Sequence, residues 1–258
     1  MVGLRQILWV MDRLRDPVQG CPWDLEQTPA SLRGYLLEET YELLEAFDEG
    51  SLDSICEELG DLLFQVVFHA RIAEDEGRFD LGDAAAGIAA KLFRRHPHVF
   101  RDAKVRDAGQ VMANWQELKK LEGRRSVMDG VPRELPALLR SQRVQEKAAA
   151  VGFDWPDTRG PLEKVREEIS ELEVEIGRGD AKASEAELGD LLFSVVNLAR
   201  HLKIDAEAAL RGAASRFSRR FRHVEEGGGD LRALGMDELE RRWEEAKRRE
   251  QSEPDAGS

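Results

Sequence analysis

Apolar residues recur three and four positions apart along most of the chain, and polar runs containing glycine interrupt them at intervals. That spacing gives a helix one apolar face. It predicts helices over 32–49, 52–76, 81–96 and 111–122 in the first half, with counterparts in the second. The run from Gly3 to Asp12 is apolar but broken by Arg5 and Asp12, so it is expected to form an amphipathic helix rather than a membrane span or a signal core. No segment sustains two-residue alternation with β-branched enrichment, and the fold class expected is all-α, built as helical bundles.

The pattern also repeats itself. Glu38-Glu39-Thr40-Tyr41-Glu42 followed by Glu58-Leu59-Gly60-Asp61-Leu62-Leu63-Phe64 returns as Glu167-Glu168-Ile169-Ser170-Glu171 followed by Glu187-Leu188-Gly189-Asp190-Leu191-Leu192-Phe193, at unchanged spacing. Val66-Val67 with Ala70-Arg71 returns as Val195-Val196 with Ala199-Arg200, and Trp115-Gln116-Glu117 resembles Trp243-Glu244-Glu245. A unit repeated in this way implies two tandem modules. The expected organisation is a first module over 1–122, a linker over 123–135 where turn dipeptides replace apolar periodicity, a second module over 136–250 and a small, polar, disordered tail over 251–258.

Charge narrows the possible partners. The net charge is −13 with 34% charged residues, which argues against a broad nucleic-acid or anionic-membrane surface, since those require excess Lys and Arg. Cys21 and Cys56 are the only cysteines, too few for a disulfide framework, so a reducing compartment and a cytoplasmic location are expected.

The acidic positions carry the candidate chemistry. On one helix Glu39 and Glu42 share a face, and on the next Glu58 and Asp61 do; a hairpin through residues 48–51 brings the two faces together. Glu168, Glu171, Glu187 and Asp190 follow the same logic. An isolated Glu-x-x-Glu is ordinarily a solvated face, but the pattern recurs in order while the residues between the paired helices diverge. Clustered carboxylates need a proton, a basic partner or a cation, and an all-oxygen set suits Mg²⁺. Gly60 and Gly189, between the paired acids, are expected to allow close helix approach. Later basic clusters, Lys91, Arg94 and Arg95 or Arg216, Arg219 and Arg220, suit phosphate. Trp115 and Trp243 are either core anchors or platforms for a base.

With these residues assembled, the sequence resembles the MazG family of nucleoside triphosphate pyrophosphohydrolases, within the all-α nucleotide pyrophosphatase superfamily. The resemblance covers nearly the whole chain and extends to Gly20-Cys21-Pro22-Trp23-Asp24, Arg94-Arg95-His96-Pro97-His98-Val99-Phe100 and Gly152-Phe153-Asp154-Trp155. It implies hydrolysis of nucleoside triphosphates to monophosphate and pyrophosphate, with Mg²⁺ held by Glu168, Glu171, Glu187 and Asp190 and by the equivalent Glu39, Glu42, Glu58 and Asp61. It further implies nucleotide binding by Lys164, Arg216, Arg220 and Trp243, and a homodimer. Glu167 is the candidate to orient or deprotonate the attacking water. Ala214 departs from the family pattern, which often has Asn there.

The two copies are not equal. Lys164 stands opposite Tyr35 and Arg166 opposite Leu37, so the second module is expected to carry catalysis, leaving the first as a second active site, a selective one or a regulatory one. A di-iron bundle would want Glu-x-x-His on facing helices, which the acidic motifs lack. The competing non-enzymatic reading is a nucleotide-binding or helical interaction scaffold.

Overall fold

A computed structural model describes residues 2–101, 106–107, 109–110 and 126–252. Among the described residues every regular element is a helix, as the periodicity predicts. None is long and apolar enough to cross a membrane. The chain divides into two compact units, which hold Met1–Leu118 and Lys119–Pro254.

The first unit contains α1 (Val2–Leu14), the short α2 (Pro22–Glu26), α3 (Arg33–Glu49), α4 (Leu52–Asp75), α5 (Leu81–Arg95) and the short α6 (Pro97–Phe100). Helix α3 ends at Gly50, whose φ of 73° places it in the left-handed region, and Ser51 at once caps α4 by accepting the Ser54 N–H. Glycine takes that conformation without a Cβ penalty, so the chain reverses within two residues and α3 and α4 form a hairpin. Helix α1 packs on α4. Their contact buries Met11, Val67, Phe68 and Ile72 together with Leu32, against Ile7, Phe64 and Leu81. Arg15 closes this core, bonding Asp75 at 2.8 Å and the Asp24 carbonyl at 2.5 Å. Gly20 is needed in the α1–α2 turn, where a Cβ would lie 2.4 Å from the Asp16 carbonyl oxygen.

The second unit contains α7 (Ala137–Ala149), α8 (Arg159–Arg178), α9 (Ala181–His201), α10 (Ala206–Glu226), a 3-10 turn (Leu231–Ala233) and α11 (Met236–Ser252). The hairpin recurs between α8 and α9, with Gly179 at φ 72° and the Asp180 carboxylate accepting the Lys182 and Ala183 N–H groups. Helix α7 packs on α9 as α1 does on α4, and α10 pairs with α11.

Of the expected linker, residues 126–130 form a turn tied to this unit: Lys147 Nζ donates to the Val127 and Asp129 carbonyls at 3.0 and 2.9 Å. Helix α11 runs two residues into the segment expected as a tail. The remainder of that tail and the helix expected over 111–122, with Trp115, lie outside the described residues.

Candidate active site

Each hairpin carries one cluster of acids. In the second unit, carboxylate oxygens of Glu168 and Glu171 from α8 and Glu187 from α9 lie within 4.8 Å of one another. In the first, Glu39 from α3 joins Glu58 and Asp61 from α4 at the same spacing. The helical period puts acids three apart on one face, and the two-residue reversal sets those faces opposite each other.

Burial raises the pKa of Glu187, and the neighbouring Glu171, Glu168 and Asp190 carboxylates push it further up. Glu39 is raised by burial and then by Asp61, Glu42 and Glu58; Glu58 is raised by burial and then by Glu42 and Asp61. Asp190 and Glu42 thus belong to the electrostatic neighbourhood of their clusters while standing outside the tightest triads. An oxygen-only donor set under mutual repulsion fits a hard divalent cation, which would offset the charge and take carboxylates as ligands.

Glycine does not create this approach. A Cβ at Gly60 or Gly189 would meet nothing within 4 Å, so the expectation of a close helix contact there is corrected: both positions lie on exposed helix surface. The two-residue turns bring the hairpin faces together instead.

The second cluster has a neutralising cation on its own first acidic helix, where the repeat places a tyrosine in the first. Lys164 Nζ lies 2.6 Å from Glu168 and 3.0 Å from Glu167, one turn along α8, and those carboxylates hold its pKa above the usual lysine range. Glu168 is only 4% exposed, and a charge so buried requires a partner. The counterpart of Lys164 in the first unit is Tyr35, packed edge-on against Trp23.

The other cations expected at the site are engaged elsewhere or stand apart. Arg219 and Arg220 both pair with Glu250 of α11. Arg220 also lies over the Trp243 ring, 5.9 Å from its centroid, and Phe217 packs on the same ring at 5.1 Å. Trp243 and Arg220 therefore form one contact group on α10 and α11. Arg216 is exposed and forms no ion pair with the acidic cluster among the described residues.

Beside Lys164 and Glu168 the second unit forms a half-open cavity of about 390 Å³, a size typical of small-molecule sites. Lys164, Glu168 and Asp190 line it where it meets the acidic cluster; Phe153, Trp155, Phe193, Val144 and Ala148 supply apolar wall. Gln145, Ser194 and Asn197 line the polar part. Arg200 fixes one side, donating to Asp154 at 2.9 and 2.5 Å and to Asn197 Oδ1 at 3.1 and 2.7 Å. The Arg200 bond, with a second from His201, holds Asp154 down to about 2. On the outer face of the hairpin, Glu167, Glu171 and Glu187 line an open acidic groove.

Sequence reasoning missed Gln145 and Asn197. Asn197 carried a signal, since it breaks the repeat at the position of Phe68; Gln145 carried none.

The family model for the MazG nucleotide pyrophosphohydrolase domain matches the chain twice, over residues 27–100 and 160–225. These matches cover α3 to α6 and α8 to α10. The chain is 48% identical over 261 residues to a nucleoside triphosphate pyrophosphohydrolase of Escherichia coli strain K12, covering 97% of this chain and 99% of that protein. It is 44% identical to a nucleoside triphosphate pyrophosphohydrolase/pyrophosphatase MazG of Thermotoga maritima, over 94% of each. A nucleoside triphosphate pyrophosphohydrolase of Mycolicibacterium smegmatis is 36% identical over 79% of this chain and 60% of its own length. Paired acidic hairpins, a doubled family match and near-full-length identity lead to one assignment: the chain belongs to the MazG nucleotide pyrophosphohydrolase family.

Proposed function

We propose that the protein hydrolyses nucleoside triphosphates to nucleoside monophosphate and pyrophosphate, that the second unit does this work, and that Mg²⁺ is held by Glu168, Glu171, Glu187 and Asp190. Support comes chiefly from one observation: Glu168, Lys164 and Asp190 line a nucleotide-sized cavity while Glu168 also belongs to the carboxylate triad. A polyanion seated at that junction would meet cationic charge beside an apolar chamber. The names of the E. coli and T. maritima relatives give the reaction class.

When bound, Mg²⁺ would neutralise phosphate charge and polarise a phosphoryl oxygen. The chain's own groups do the rest. Lys164 orients the triphosphate from the cavity rim, and the outer phosphates draw on exposed Arg216 and on Arg220, which would exchange its Glu250 partner for them. Glu167, exposed beside the groove, orients a water and accepts its proton as the oxygen attacks the α-phosphorus. The bond between that phosphorus and the oxygen bridging to the β-phosphate breaks, and pyrophosphate leaves with that oxygen.

The first unit keeps Glu39, Glu42, Glu58 and Asp61 as a second cation site, with Tyr35 at the position of Lys164 and the buried Phe68 at the position of Asn197, which suits regulation or structure better than turnover. Apolar side chains on the second acidic hairpin, Ile169, Leu188 and Leu192, remain exposed and support a homodimer that covers them. A cytoplasmic setting fits the two free thiols.

Incubating the full chain with a panel of nucleoside triphosphates and Mg²⁺, and scoring products, tests the reading. Monophosphate with pyrophosphate is expected; orthophosphate release, or no turnover of any triphosphate, would overturn it.

A further inference from the structure

A turn that precedes α7 supplies part of the cavity wall. Residues 126–130 lie between the two stretches that the family model matches, yet Met128 lines the cavity together with Val144, Phe153, Trp155 and Phe193. The turn holds its own shape. The Ser126 N–H donates to Asp129 Oδ2 at 2.9 Å, the Met128 N–H to Ser126 Oγ at 3.1 Å, and the Asp129 N–H to the Ser126 carbonyl at 3.1 Å. Gly130 ends it at φ 81°, a left-handed conformation open to glycine.

A cation ties this turn to the helix that follows it. Lys147 Nζ donates to the carbonyls of Val127 and Asp129, the residues on either side of Met128. Holding both flanking carbonyls fixes where the Met128 side chain is presented, and bonds from an ammonium are stronger than neutral ones. On α7, Lys147 stands three residues from Val144, so it reaches the turn from the helix face that also lines the cavity. Val127 and Met128 are each 43% exposed; apolar burial therefore contributes little to keeping the turn in place, and the lysine bonds contribute correspondingly more.

We infer that residues 126–130 form a strap that retains the nucleotide at this cavity, with Lys147 as the positioning residue that anchors the strap and Met128 as the side chain that closes on the occupant. The inference rests on the proposed nucleotide chemistry and goes beyond it, since it assigns release of the nucleotide to a segment outside both acidic hairpins. Methionine suits such a wall, being unbranched and able to repack against aromatic rings as the occupant changes. Opening exchanges the lysine–carbonyl bonds for bonds to water, a small step beside parting two packed helices.

The test is stopped-flow release of nucleotide from the full-length chain with Mg²⁺. The probe is the tightest-binding of the α,β-methylene analogues of ATP, GTP, CTP and UTP, whose bridging carbon blocks cleavage between the α- and β-phosphorus. Lys147→Met, which removes the donors, and Met128→Gly, which removes the closing side chain, are each expected to speed release about tenfold. Lys147→Arg, which can still donate to both carbonyls, is expected to stay within about threefold of wild type. A merely structural role for Lys147 would lower Tm and leave release from the folded protein unchanged. Release within about twofold of wild type in either Lys147→Met or Met128→Gly would overturn the inference, as would a wild-type chain that binds none of the analogues. Should Lys147→Met fail to fold, Met128→Gly decides alone. Release is read without turnover, so unchanged release beside normal wild-type hydrolysis removes the strap and leaves the proposed function standing.

Discussion

At four positions related by the repeat, the first unit carries Leu32, Tyr35, Gln65 and Phe68 where the second carries Pro161, Lys164, Ser194 and Asn197. The backbones do the same thing in both: a glycine in the left-handed region, a capped second helix, and acids on facing sides of a hairpin. The side chains do opposite things. Phe68 and Leu32 fill the first unit with an apolar core, whereas Asn197 and Ser194 line a cavity in the second and Lys164 brings a cation to its mouth. Under the proposed function one scaffold would separate two tasks that a single module must otherwise combine, since every apolar side chain that strengthens the core removes volume from the site.

The largest effect that would break this comparison concerns stability. Phe68→Ala should cost about 3–5 kcal/mol, because it empties a fully buried ring site, while Asn197→Ala should cost about 1 kcal/mol, the ordinary worth of a lost hydrogen bond. Denaturant unfolding of the two variants measures both, and comparable losses would mean that the second unit is packed as tightly as the first.

A smaller effect concerns charge. Lys164→Met should lower kcat/KM by about 10²-fold, the usual cost of removing one positioned donor from a phosphate site, whereas Tyr35→Phe should leave it within about twofold. Steady-state kinetics on the two variants would sharpen the asymmetry, and a loss in Tyr35→Phe equal to that in Lys164→Met would erase it.

The smallest effect is a pH dependence common to both units. Glu187, Glu39 and Glu58 have folded-state pKa values raised above 4.5. Such groups favour the folded state fully below the unfolded value, and that contribution is lost as pH rises through the raised value. Without divalent cation the protein should therefore lose stability as pH climbs from about 4.5 through this window. Added Mg²⁺ should raise Tm increasingly over the same range, as its ligands ionise. Thermal melts at several pH values check this. A Mg²⁺ effect that is flat with pH would separate the cation from these carboxylates.

Much of this architecture was legible in the sequence. Helical periodicity and the duplicated Glu-x-x-Glu and Glu-x-x-Asp spacing place the two hairpins and their acids, because a three-residue spacing and a short glycine turn leave few other geometries. The basic cluster was legible as composition but not as position. Arg219 and Arg220 find Glu250 some thirty residues later, a pairing that only the α10–α11 contact determines. Gly60 and Gly189 repeat without any packing demand at their Cβ positions. The chamber was hidden because it is assembled from α7, the turn before α8, and α9, and the unpaired Oε1 of Gln145 exists only once Phe193 has taken the other half of the amide.

The proposed function puts the hydrolysis in the second unit, and kcat for triphosphate hydrolysis in two full-length variants, Glu171→Gln and Glu42→Gln, under saturating Mg²⁺ tests that placement. These residues occupy the same repeat position, so each variant removes one carboxylate charge from one cluster and leaves the other cluster intact. Glu171→Gln should lose about 10³-fold or more and Glu42→Gln should stay within about threefold of wild type, with helical content unchanged in both. Retained turnover in Glu171→Gln together with collapse in Glu42→Gln would contradict it and move the active site to the first unit.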